Sequence, residues 1–309
     1  MNRGLLLSLL MLLAMLLAGC EKVEPDPFSP EDDEKDLNVL VIGNSYGPDA
    51  FSYVPFIFEN VCPKYSLKLW ILYIGNSTIE HHLDYLVNDE KKYALFFYNT
   101  GYSEWHNLSA VSSREALTEN KWDMVVTHQI SSRSGDYSGM ALALDSFLNE
   151  IRSLSDAKIA WLQVPCLPDD RPTYYESMYD DICSTCDKVV EGTLAECVIP
   201  CGTAVQSARA TDLVELGNYG QLTEDGVHLQ EGLPCLLEAY TCAEFFFRYF
   251  DLPYSVKDCT LSVTNNWLKR KEIPRQNGFA VGVNSNDMRR AKQMAINAVA
   301  NPYKIEPVE

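Results

Sequence analysis

Two separated stretches carry the residue types that together activate a hydroxyl. Near the start, Gly43-Asn44-Ser45-Tyr46-Gly47 follows the apolar run LNVLVI. Near the other end, Asp225-Gly226-Val227-His228 sits in the polar stretch NYGQLTEDGVHLQEG. A serine hydroxyl is a poor nucleophile until a base takes its proton. Histidine does this best when a carboxylate fixes its tautomer and stabilises the imidazolium. Ser45, His228 and Asp225 are therefore the candidate nucleophile, base and orienting acid. Each half alone has a plainer reading. Glycines around a serine make a tight strand-to-helix turn, and a lone D-x-x-H is an aspartate capping the helix expected near Gly232, beside a surface histidine. The two halves together favour the chemistry.

The G-x-S-x-G match is literal but short. An α/β-hydrolase places this elbow after several strands and needs an upstream oxyanion loop. Here the serine follows the first strand of the expected domain, so the standard α/β-hydrolase fold is not expected.

The elements that must position these residues follow from hydrophobic patterning. Apolar runs of strand length lie at Asn38–Ile42, Leu67–Ile74, Met124–Thr127, Lys158–Val164 and Cys197–Pro200. Amphipathic stretches separate them at about Asp49–Val61, Thr78–Asn88, Met140–Leu154 and Arg171–Glu191, with more at Gly232–Tyr249 and Ser285–Ala300. The alternation predicts β-α-β units, hence an α/β fold: a three-layer α/β/α sandwich with a central parallel sheet. Near-continuous apolar strands fit burial on both faces. The aromatic stretch KYALFFYNTGYSEW interrupts the rhythm and predicts a hairpin insert near 92–106. Residues 37–309 read as one domain, with 251–309 a C-terminal helical extension.

The chain has 309 residues, 47% apolar and 22% charged, and a net charge of -18, which suits a packed globular core and argues against nucleic acid as a partner. Residues 1–19 have signal-peptide proportions: Arg3, then an apolar run from Leu5 to Ala18, then Gly19. The ending Leu17-Ala18-Gly19-Cys20 resembles the lipobox of bacterial lipoproteins, in which the cysteine is acylated. An ordinary signal peptide or a membrane anchor is the alternative. The acidic, proline-rich stretch over 20–36 reads as a flexible tether. These features predict an exported lipoprotein, held to the membrane through Cys20 and facing the periplasm or the cell surface.

Other chemistry-bearing residues have weaker claims. Cys183, Cys186, Cys197 and Cys201 have spacing superficially like a zinc site, but a helix and a short strand carry them where zinc knuckles use tight turns. Buried thiols or one local disulfide are the expectation, and no metal or cofactor is predicted. His81 and His82 are adjacent and point apart, which suits a structural or substrate-contact role better than metal ligation. Trp105 and His106 can face a sugar or simply pack. Arg133 can bind a carboxylate or hold its loop.

A serine just after the first strand and a D-x-x-H before the last helix of the sheet domain resemble the SGNH (GDSL-like) hydrolase superfamily. GNS stands where that superfamily often has GDS, and its fold is a flavodoxin-like three-layer sandwich. LYIGNSTIEHH, WDMVVTHQISSRSGDYS, IPCGTAVQSAR and DGVHLQEG look like a branch of gut bacterial lipoproteins known only as a domain of unknown function. The resemblance implies Ser45 as nucleophile, His228 as base and Asp225 as its partner. It implies an oxyanion hole from the backbone of Ser45 and Gly75. The superfamily's third donor is an asparagine in a Gly-x-Asn-Asp block that this sequence lacks. Gln129 stands nearest to it, and a glutamine amide offers the same N–H on a longer arm. Asn76 replaces the branch's second glycine. Asn76, His128 and Arg133 are the remaining candidate substrate contacts.

The expectation is a serine esterase working through an acyl-enzyme, with a small ester or acylated carbohydrate, such as an acetylated glycan, as substrate. The alternative is a glycan-binding surface lipoprotein with weakened catalysis. Hydrolysis of phosphate or sulfate esters is a weaker reading, since neither a metal cluster nor a basic clamp is evident.

Overall fold

The computed structural model describes residues 36–102, 104–171, 173–261 and 284–309. The expected signal peptide, Cys20 and all of the tether but Asp36 lie outside the described residues.

Seven strands form one sheet in the order β4-β3-β2-β1-β5-β6-β7. They are β1 (Asp36–Gly43), β2 (Ser66–Tyr73), β3 (Tyr93–Asn99), β4 (His106–Val111), β5 (Met124–Thr127), β6 (Lys158–Leu162) and β7 (Cys197–Ile199). β2, β1, β5, β6 and β7 run parallel, as the β-α-β pattern predicts. β3 and β4 are antiparallel additions at the β2 edge. The predicted hairpin is therefore part of the main sheet and extends past residue 106 to Val111. β4 was invisible to patterning because it is an edge strand, mostly exposed or half-buried over HNLSAV.

The helices are α1 (Tyr46–Phe51), α2 (Val54–Val61), α3 (Ile79–Val87), α4 (Ser113–Thr118), α5 (Tyr137–Leu154), α6 (Met178–Gly192), α7 (Cys201–Arg209), α8 (Leu233–Tyr249) and α9 (Ser285–Ala300). α1, α2, α7, α8 and α9 pack on one face of the sheet, and α3 to α6 on the other. Val39 and Val41 face the first layer, while Leu40 and Ile42, equally inaccessible, face the second. Burial on both faces is why β1 reads as an unbroken apolar run.

Two helices differ from expectation. The stretch Asp49–Val61 is split at Ser52–Tyr53, because Pro55 opens a new first turn where it needs no N–H partner. α6 begins only at Met178, since Pro168 and the turn around Arg171 occupy the preceding chain.

Candidate active site

β1 is bracketed by β2, the next strand in sequence, and by β5. The connections leave β1 in opposite directions, which opens a crevice at the carboxyl ends of the strands. The loops after β1, β2 and β5 meet there, carrying Ser45, Gly75 and Gln129.

Ser45 is the N-cap of α1, yet its side chain makes no capping hydrogen bond. A serine in this position ordinarily spends its hydroxyl on the first helical turn. Here the Ser45 Oγ lies 2.8 Å from His228 Nε2. His228 Nδ1 lies 2.7 Å from Asp225 Oδ2. A carboxylate facing Nδ1 places the ring proton there, so Nε2 turns its lone pair to the serine. The other Asp225 oxygen accepts the Val227 N–H at 2.9 Å and the His228 N–H at 2.8 Å. Gly226 makes this fold-back possible with φ +78°, a left-handed conformation that costs glycine nothing. Burial pushes the Asp225 carboxyl up, but the hydrogen bonds from His228 and Val227 outweigh it and hold the group below the ordinary carboxylate value. Asp225 is thus a fixed anion beside the imidazole.

The glycines beside Ser45 have a reason other than the turn. Neither has positive φ. A Cβ on Gly43 would lie 2.1 Å from His128 Nε2, and one on Gly47 would press on Ile71 and Val41 at 3.3 and 3.4 Å. Gly43 makes room for a histidine and Gly47 lets α1 lie close on the sheet.

On the oxyanion side, the Ser45 and Gly75 N–H groups bond no other group among the described residues, which leaves two donors for a ligand. Asn76 is exposed with φ +58°, so it occupies the left-handed position that a glycine would favour and asparagine tolerates. Two expectations need correction, those for Gln129 and His128, while Arg133 takes the loop-holding alternative. Gln129 is buried, and its amide is engaged away from Ser45: the carbonyl accepts the N–H of Ile130 at 2.9 Å and of Ile79 at 3.4 Å, while the nitrogen contacts Met140 Sδ at 3.7 Å. It ties the start of α3 to the end of β5. His128 has no exposed surface and sits behind Gly43, where it cannot meet a substrate. Burial drives its pKa down to about 4. Arg133 binds Glu80 at 2.7 Å and the Gly139 carbonyl at 3.2 Å, which joins the β5–α5 loop to α3.

Several residues that position the site escaped the sequence reading. Asp49, fully buried in α1, accepts the Leu229 N–H at 3.3 Å, so the helix that carries Ser45 also holds the chain just after His228. The signal was a charged residue in an otherwise apolar helix. Asn44 spans from the Ser45 turn to the β2–α3 loop, donating to the Ser77 carbonyl at 3.1 Å. Arg171 donates to the Gly226 carbonyl at 2.6 Å and also to that of Asp225, and its guanidinium stacks 5.1 Å from the Tyr219 ring centre. Nothing in the spacing linked it to the D-x-x-H.

The remaining candidates pack. Trp105 is buried and donates to the Ser52 carbonyl at 3.0 Å, and His106 lies against Phe97 and Tyr102. Cys183, Cys186, Cys197 and Cys201 are free thiols, and Cys201 Sγ lies 3.5 Å from Cys242 Sγ. Among the described residues no three of His, Cys, Asp and Glu are grouped to hold a metal ion.

No protein-family model and no curated protein matches the sequence. Among solved structures, a protein from Slackia heliotrinireducens, provisionally named an SGNH hydrolase, superposes with a TM-score of 0.45 at 15% identity, over 68% of this chain and 98% of its own. A DUF4886 family protein from Bacteroides uniformis superposes with a TM-score of 0.71 at 22% identity, over 88% of this chain and 98% of its own, so the two share one fold, which in this chain is a flavodoxin-like α/β/α sandwich around a seven-stranded sheet.

Proposed function

We propose that this protein is a serine esterase that removes a small acyl group, such as acetyl, from a glycan or similar small ester. The observation that carries the reading is the Ser45 hydroxyl: it sits at a helix N-cap, declines the capping bond, and faces a histidine already oriented by a carboxylate. In the proposed reaction Oγ attacks the ester carbonyl while His228 Nε2 takes its proton. The Ser45 and Gly75 N–H groups stabilise the tetrahedral oxyanion. His228 returns the proton to the departing alcohol, then activates the water that releases the acid from Ser45.

The glycan assignment rests on the resemblance and on the proposed envelope location, in which acylated Cys20 anchors the chain. Metabolic labelling with a radioactive fatty acid, lost in Cys20→Ala, checks the anchor. One observation favours the alternative of a binding protein with weakened catalysis: with the Gln129 amide engaged elsewhere, two backbone donors remain where the superfamily has three. Hydrolysis of p-nitrophenyl acetate by the full chain, beside Ser45→Ala and His228→Ala, separates the two. The esterase reading expects activity lost by about 10⁴-fold or more in both variants. An inactive wild type whose Ser45 a fluorophosphonate fails to label would leave the binding-protein reading.

A further inference from the structure

The adjacent histidines of α3 have no part in the reaction above, yet one lies at the centre of a buried hydrogen-bond chain that ends at the Ile74 carbonyl, beside Gly75. His82 has no exposed surface, and neither has Tyr93 on β3. Tyr93 Oη lies 2.7 Å from His82 Nδ1. His82 Nε2 lies 3.0 Å from Ser77 Oγ. Ser77 Oγ in turn donates to the Ile74 carbonyl at 2.8 Å.

Proton counting orients the chain. A serine hydroxyl has one hydrogen, and Ile74 can only accept, so that hydrogen belongs to Ile74. Towards His82 the Ser77 oxygen then accepts, and Nε2 must carry the ring proton. Nδ1 is left as the acceptor for the tyrosine hydroxyl. Every polar atom of the imidazole is satisfied in the neutral form, and the ring is stacked between Tyr93 and Phe147 at centroid distances of 5.7 and 6.1 Å. Burial, with smaller contributions from His128 and His81, lowers its pKa to about 3, so it stays neutral under ordinary conditions.

The bonds converge on the five-residue loop 74–78. Ser77 and Ile74 close it across Gly75 and Asn76. The Ile74 N–H donates to the Gly43 carbonyl at 3.1 Å, and Asn44 donates to the Ser77 carbonyl at 3.1 Å. His81 accepts the Thr78 N–H at 3.3 Å and caps the helix that follows. We infer that His82 is a positioning residue: held by Tyr93 and bonded to Ser77, it fixes the loop that aims the Gly75 N–H at the substrate carbonyl oxygen. The inference rests on the esterase reading for what the loop binds, and on geometry alone for what holds the loop. His82 touches no substrate. Its effect is greatest in the transition state, when charge reaches the carbonyl oxygen, because a donor displaced from that point no longer stabilises the charge.

The test uses the full chain as wild type, His82→Phe, His82→Gln, Ser77→Ala and the His82→Phe/Ser77→Ala double variant. Two readouts are taken: kcat and KM on p-nitrophenyl acetate, and hydrogen–deuterium exchange of the peptide covering 74–78 relative to the β1 peptide. His82→Phe should lower kcat about 10- to 100-fold with KM within about threefold, and raise exchange in 74–78 alone. His82→Gln, whose amide N–H can stand in for Nε2, should recover most of both. Ser77→Ala should match His82→Phe, and the double variant should lose no more than either single one, since both break one chain. Unchanged exchange at 74–78 in the two single variants, or additive losses in the double variant, would overturn the inference. If His82→Phe does not fold, Ser77→Ala and Tyr93→Phe carry the same comparison. Wild-type Ser45 unlabelled by a fluorophosphonate sinks the esterase reading, while the exchange data still decide what holds the loop.

Discussion

Among the described residues are two serine–histidine pairs that distances alone barely distinguish. Ser45 Oγ lies 2.8 Å from His228 Nε2, and Ser77 Oγ lies 3.0 Å from His82 Nε2. Each histidine has a further partner at 2.7 Å on Nδ1, Asp225 in one case and Tyr93 in the other. The third partner separates their chemistry. A carboxylate accepts, so it places the proton on Nδ1 and leaves His228 Nε2 as a base facing its serine. The Ser77 hydrogen is committed to the Ile74 carbonyl, so Nε2 carries the ring proton, the tyrosine hydroxyl donates to Nδ1, and His82 is left as a donor facing its serine. Access separates them again: Ser45, Asp225 and His228 are half-buried, whereas Ser77, His82 and Tyr93 are shut in. On the proposed function, one Ser-His contact is catalytic and the other architectural, according to the tautomer that the surrounding hydrogen bonds impose and whether a substrate can reach it.

The sharpest break in that comparison is to remove each third partner. Asp225→Asn should lower kcat about 10⁴-fold, because an amide no longer enforces the Nδ1 proton or stabilises the imidazolium. Tyr93→Phe should cost about tenfold or less, because a structural hydrogen bond is lost and the nucleophile is untouched. Equal losses in kcat would show that both chains serve the reaction in the same way.

Gly43→Ala strikes the floor that the two regions share. Its Cβ would fall 2.1 Å from the ring of His128, which has no exposed surface to move into. A loss of about 1–3 kcal/mol in urea unfolding is expected. The Gly47→Ala contacts, at 3.3 and 3.4 Å, are tight but milder and should cost less.

A smaller effect is titration. His82 and His128 are held neutral with pKa values near 3 and 4, against 6.5 for the unfolded chain. Below pH 6.5 the unfolded state binds protons that the folded state refuses. The stabilisation from these two residues is complete above pH 6.5 and declines as pH falls towards 3–4. The slope is about 1.4 kcal/mol per pH unit for each histidine once the unfolded form is protonated. Urea midpoints between pH 7 and pH 4.5 should show it, and His82→Gln should remove about one proton of the dependence. An unchanged slope in that variant would mean that His82 is charged in the fold.

Much of this was legible in the residues. Unbroken apolar strands such as LNVLVI and MVVT announced a sheet buried on both faces, because local patterning encodes burial directly. The Ser45 turn and the D-x-x-H could be paired because few residue types perform nucleophilic catalysis. The misreadings all concern side chains whose meaning depends on distant partners. Gln129 is the right residue type near the expected place, yet the Ile79 and Ile130 N–H groups claim its amide. His128, placed in the pocket by its position at a strand end, packs behind Gly43.

The sequence by itself determined the α/β alternation, the serine at the end of β1 and the D-x-x-H whose histidine lies 183 residues further on. These depend on periodicity and residue chemistry, which are local. Tertiary structure decided that β3 and β4 join the main sheet, that Asp49 holds the His228 loop, and that one serine faces a base while the other faces a donor. Those outcomes turn on single hydrogen bonds between residues far apart in the chain, and such bonds exist only once the layers have packed.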